Sequence, residues 1–127
     1  MVEFDVVLCK VRDVSLLFIN VYYGRMAFFL DQNSGAIIKP SYEEEQQLGS
    51  IDTGNCKHFT RHVIEELNMS FVRLYAVRFE PRIRCAIYRL TIKDKTSYIA
   101  ECYDGSSATY RYNVFTDFED AMAFIYD

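Results

Sequence analysis

The chain has 127 residues, half of them apolar and a quarter charged, with a formal net charge of −4. That length sets an expectation of one domain over residues 1–127 with a self-sufficient core, and the composition excludes a disordered polymer. The acidic balance and the lack of any run of eighteen apolar residues argue against a general nucleic-acid binder and a membrane-spanning helix.

Glu3 and Asp5 stand where a secretory leader would carry basic residues. Cys9, Cys56, Cys85 and Cys102 are widely spaced in apolar surroundings. Their expected state is buried reduced thiol, and the expected location is the cytoplasm.

Residues 2–11 alternate and then become apolar on both faces, which predicts a strand buried on two sides. Arg12-Asp13 is a turn, Val14 to Tyr22 a second strand, and Arg25 to Leu30 a third, closed by the turn cluster Asp31 to Gly35. A short fourth strand is placed at Ala36 to Lys39. Ser41 and Glu44 form a capping-box pattern for a short polar helix ending near Gly49. Cys56, Phe59, Val63 and Leu67 fall on one stripe, predicting the main helix over 56–67 with Asn68 as a left-handed stop. Strands follow at 71–79, 82–92, 96–103 and 109–114, with turns at Asp94-Lys95 and Asp104 to Ser107. Thr116 and Glu119 make a second capping-box pattern, and Phe118, Ala121, Met122 and Ile125 give the last helix its apolar stripe. The expected class is α+β: one or more antiparallel sheets of about seven strands in all, one central helix and one C-terminal helix.

Charge is unevenly laid out. Residues 71–95 hold seven of the fourteen basic side chains and two acidic ones, while the flanking chain is acidic. Strand parity puts Arg82 and Arg84 on one face, Arg89 and Lys93 on the other, and Arg73 and Arg78 on opposite faces. The plain reading is cross-strand pairing with acidic neighbours. The functional reading is an anion or nucleic-acid surface of Arg73, Arg82 and Arg84, with Tyr75 and Tyr88 for stacking. The acidic C-terminal helix offers a separate surface for a basic protein.

Two constellations lie on the predicted main helix. His58 and His62 are one turn apart with Glu66 a further turn on, a spacing that suits Zn²⁺ ligation. The run Arg61-His62-Val63-Ile64-Glu65-Glu66-Leu67-Asn68-Met69, preceded by the glycine-containing loop 49–55, resembles the second half of the Nudix hydrolase box. The resemblance implies Mg²⁺ held by Glu65 and Glu66, oriented by Arg61, for hydrolysis of a nucleotide diphosphate. His62 stands where the box has its first glutamate and Asn68 where it has glycine, which implies a degenerate relative without that activity.

These readings predict a small non-enzymatic binding or regulatory module with no catalytic residues and no required cofactor. It would work as a monomer or homodimer. The expected partner is a protein or an anionic molecule, with nucleotide and nucleic acid as the anionic candidates. The rival reading is the metal-dependent, Nudix-like hydrolase.

Overall fold

The structure is a computed structural model and describes residues 5–11, 13–48, 51, 57–58 and 67–127. Nine strands and two helices lie within those residues. The strands are β1 (Asp5–Val11), β2 (Val14–Asn20), β3 (Arg25–Leu30), β4 (Ile37–Ile38), β5 (Lys57–His58), β6 (Ser70–Glu80), β7 (Ile83–Ile92), β8 (Lys95–Asp104) and β9 (Thr109–Phe115). The helices are α1 (Tyr42–Leu48) and α2 (Phe118–Tyr126).

All strand pairs are antiparallel, and they build two sheets rather than one. The first has the order β4-β3-β2-β1-β5 and the second β6-β7-β8-β9. Facing side chains from both sheets form the central core: Val6, Leu17, Ile19, Met26 and Phe28 from one, and Ala86, Tyr88, Leu90, Ile92 and Ile99 from the other. The opposite face of the first sheet is covered as well, where Val7, Cys9, Leu16 and Phe18 cluster with Leu48 of α1. On the second sheet, α2 supplies the cover, setting Ala121 and Ile125 against Cys85, Ile87, Ala100 and Cys102. Sheets buried on both faces explain the continuous apolar runs in β1 and β2.

Both described helices therefore sit on the outside of a sandwich, and neither is the central helix expected from sequence. Lys57 and His58, placed by periodicity in that helix, form β5 and pair with β1 instead, with Val7 opposite His58 and Leu8 opposite Lys57. The remainder of the predicted helix, residues 59–66, lies outside the described residues. Backbone pairing with a neighbouring strand overrides helical periodicity at 57–58, as tertiary context commonly does.

Local signals fare better. Glu44 Oε1 accepts from the Ser41 N–H at 3.0 Å, and Ser41 Oγ accepts from the Glu44 N–H at 3.3 Å, completing the first capping box. The second does not form: Asp117 is the N-cap of α2 and makes no side-chain cap. Asn68 is left-handed, with φ of 49°. The β7–β8 turn is Lys93-Asp94, both at positive φ as a type I′ hairpin requires, one residue before the expected position.

Two sequence expectations about chemistry are corrected here. Cys85 and Cys102 are directly opposite in the β7–β8 ladder and joined by a disulfide, and Cys9 is disulfide-bonded too. These are not reduced thiols. Among the described residues no helix is long and apolar enough to cross a membrane.

Tyr112 of β9 locks the sandwich together. Strand β4 pairs only with Phe29 and Leu30, which leaves the outward N–H and C=O of Ala27 without a strand partner. The Tyr112 hydroxyl lies 3.0 Å from that nitrogen and 3.3 Å from that oxygen. It accepts from the Ala27 N–H and donates to Glu45 Oε1 of α1 at 2.6 Å. One phenol thus ties β3, β9 and α1, satisfying buried backbone that would otherwise cost about 1–3 kcal/mol.

Candidate functional site

Between the second sheet and the β2–β3 turn of the first opens a cleft of about 700 Å³. Its floor is the inner face of the second sheet. Ala86 and Tyr88 come from β7, Glu101 from β8, and Arg73, Arg78 and Arg84 rise around them. The rim is the β2–β3 turn, with Tyr22 and Tyr23.

The three arginines share this cleft because β6 is irregular. Arg73 pairs with Tyr88 and Tyr75 with Ile87, so Leu74 is an extra residue in the ladder. A bulge of this kind reverses the parity of everything after it. Arg73 before the bulge and Arg78 after it, on opposite faces by simple counting, therefore point to the same side. The same shift carries Tyr75 to the outer face, where its hydroxyl meets that of Tyr126 on α2. Tyr75 is thus a packing residue, not a stacking platform for the cleft. A second shift at Phe79 leads into the Pro81-Arg82 turn, which leaves Arg82 exposed at the hairpin tip and outside the residues lining the cleft.

Arg78 and Arg84 are directly opposite each other in the ladder. Cβ atoms at such a position are roughly 4.5–5.5 Å apart, and like charges there repel. None of the cleft arginines has a carboxylate within ion-pair distance among the described residues, where the ion pair formed is Lys39–Glu45. The expected cross-strand neutralisation is absent at Arg78 and Arg84, whose partners are each other and, on the far side of Arg84, Tyr103. Arg84 does lie over an aromatic ring, its guanidinium carbon 6.0 Å from the centre of Tyr23.

The tyrosines of the rim contact neighbouring rings. Tyr23 stacks on Tyr103 of β8, with ring centres 4.6 Å apart and planes 11° from parallel. Tyr22 meets Tyr23 edge-on at 4.7 Å and is 88% exposed. Gly24 allows the turn to lie this close, because a Cβ there would stand 2.7 Å from ring carbons of Tyr110. The turn is closed by the Val21 N–H donating to the Gly24 carbonyl at 2.9 Å.

At the floor, Glu101 is 6% exposed and accepts from two phenols, Tyr88 on Oε1 and Tyr110 on Oε2. Burial pushes its carboxyl above the ordinary range, while the bonds from Tyr110 and Tyr88 and the positive charge of Arg73 pull it down. Burial likewise raises both phenols, and the Glu101 charge raises them further. Both carboxylate oxygens are satisfied, so Glu101 acts as the strut that holds Tyr88 and Tyr110 in place.

Of the residues singled out from sequence, the cleft brings together Arg73, Arg84 and Tyr88, while Tyr75 and Arg82 lie elsewhere. Counting missed Arg78, Tyr22, Tyr23 and Glu101. His62, Glu65 and Glu66 lie outside the described residues, and of His58 only its place in β5 is described. Among the described residues no cluster of three or more His, Cys, Asp or Glu is placed to hold a metal ion. Comparison with protein-family models, with curated proteins and with solved structures finds no match to this chain.

Proposed function

We propose that the chain is a non-enzymatic binding module that takes an anionic ligand in the cleft between its sheets. The observation that carries this reading is the Arg78–Arg84 pair, joined by Arg73 around one concave surface, with no carboxylate within ion-pair distance of them among the described residues. A fold gains nothing from two guanidinium groups set opposite each other, and a bound anion removes the repulsion. Guanidinium forks also suit planar or tetrahedral oxyanions, which they grip through paired N–H donors. The volume is that of a small-molecule site, usually about 300–1,000 Å³. The Cys85–Cys102 bond supports an oxidising setting rather than the cytoplasm expected from sequence.

The test is titration calorimetry at low salt with pyrophosphate, sulfate and citrate, on the native chain and on Arg78→Ser and Arg84→Ser. Binding of at least one anion, weakened tenfold or more in each variant and falling with added salt, supports the reading. Anion affinity unchanged by both substitutions removes the cleft as the site.

A further inference from the structure

The cleft is positive at its centre and aromatic at its rim, and the two parts are adjacent. Arg84 is 6.0 Å from the Tyr23 ring, and Tyr23 is 4.7 Å from Tyr22. Tyr22 is the unusual member of this row. It is supported edge-on by a ring that is itself clamped to Tyr103, yet 88% of its surface remains open to solvent. A phenol that touches one neighbouring ring and is bare elsewhere has surface free for a second ring. Such a ring is a ready platform for a flat heterocycle, because every nucleobase presents a π-face whatever its edge.

Resting on the anion-binding reading, we propose that the ligand is a mononucleotide, a nucleoside mono- or diphosphate. Its phosphate lies between Arg78 and Arg84 and its base on Tyr22, with the sugar spanning the step across Tyr23. A polymer fits less well. A strand of nucleic acid needs a continued basic track, whereas among the described residues the cleft offers Arg73, Arg78 and Arg84. Arg89 occupies the outer parity of β7, Lys93 and Lys95 lie at the far end of that hairpin, and the chain as a whole is acidic. Recognition by stacking also predicts tolerance: one base should replace another with modest change in affinity.

The experiment is a set of calorimetric titrations with ADP, GDP, CDP, UDP, pyrophosphate and an eight-nucleotide oligo(U). The native chain, Tyr22→Ala, Tyr22→Phe and Arg84→Ser are each tested. The expected result is that every diphosphate nucleotide binds at least about tenfold tighter than pyrophosphate, with the loss of stacking in Tyr22→Ala removing most of that advantage. Tyr22→Phe keeps it, Tyr22→Ala leaves pyrophosphate affinity within twofold of native, and Arg84→Ser weakens both ligands. Nucleotides that bind no tighter than pyrophosphate, or that ignore Tyr22→Ala, overturn the nucleotide assignment while the anion site stands. Oligo(U) binding tighter than UDP overturns it in favour of a single-stranded polymer. If neither nucleotide nor pyrophosphate binds, the anion reading and this inference fall together.

Discussion

Replacing Glu101 by alanine takes away the acceptor of two tyrosine hydroxyls in a single step. Glu101 is 6% exposed, and among the described residues its two oxygens accept from Tyr88 and Tyr110 alone. A hydrogen bond to a charged group contributes about 1.5–3 kcal/mol, so the pair amounts to ~3–6 kcal/mol of interaction. Removing a carboxylate held above its ordinary pKa by burial returns part of this, since its desolvation cost disappears with it. The net expectation is a loss of about 2–4 kcal/mol for Glu101→Ala. Glu101→Gln keeps the shape and one acceptor, and should lose about half as much. Urea unfolding followed by far-ultraviolet circular dichroism measures both. A Glu101→Ala variant within ~0.5 kcal/mol of native would refute the strut, because stranded phenols at the cleft floor cannot be that cheap.

The pH dependence supplies an independent check. The folded carboxyl of Glu101 is raised above its unfolded value of 4.5, so in that window the folded state holds the extra proton. Its contribution is therefore complete below pH 4.5 and is lost as pH rises through the folded pKa. In Glu101→Gln that downward component of the stability curve should vanish. Removing the positive charge in Arg73→Ala raises the Glu101 carboxyl further, moving the loss to higher pH.

Further expectations follow from close contacts and cross-links elsewhere. Gly35 has φ of +84° and a Cβ there would stand 2.0 Å from the Ile92 carbonyl oxygen, so Gly35→Ala should cost at least about 2 kcal/mol in urea unfolding, combining left-handed strain with a backbone clash. Arg78→Ser should stabilise the apo protein by about 0.2–1 kcal/mol while weakening anion binding, a pairing of gain and loss that thermal unfolding with and without pyrophosphate separates. Cys85 and Cys102 are 17 residues apart, so reduction of that bond should cost roughly 3 kcal/mol by loss of a loop constraint on the unfolded chain. Peptide mass mapping without reductant should recover the two cysteines linked.

Most strands and turns were legible because punctuation residues bound short β-rich runs, and because β1 and β2 are apolar on both faces. What escaped was register. Moving the β7–β8 turn from Lys93-Asp94 to Asp94-Lys95 slides the ladder by two positions, setting Cys85 opposite Asp104 and Cys102 opposite Ile87. Face assignments survive that slide, but the Cys85–Cys102 pairing disappears from view. The error in β6 was of the other parity. No glycine or proline marks the extra residue at Leu74, so counting by twos carried Arg78 to the wrong face and Tyr75 into the site. Tyr22 was read as the end of a strand, whereas β2 ends at Asn20 and leaves Tyr22 and Tyr23 together in the turn. Glu101 did carry a signal: a carboxylate set between Ile99 and Tyr103 on one face of the strand is the pattern of a buried and partnered acid.

The Tyr112 hydroxyl occupies the position a neighbouring strand would take beside Ala27. One phenolic oxygen does there what a whole strand does elsewhere, and lets the sheet end at a two-residue β4 without stranding a buried amide.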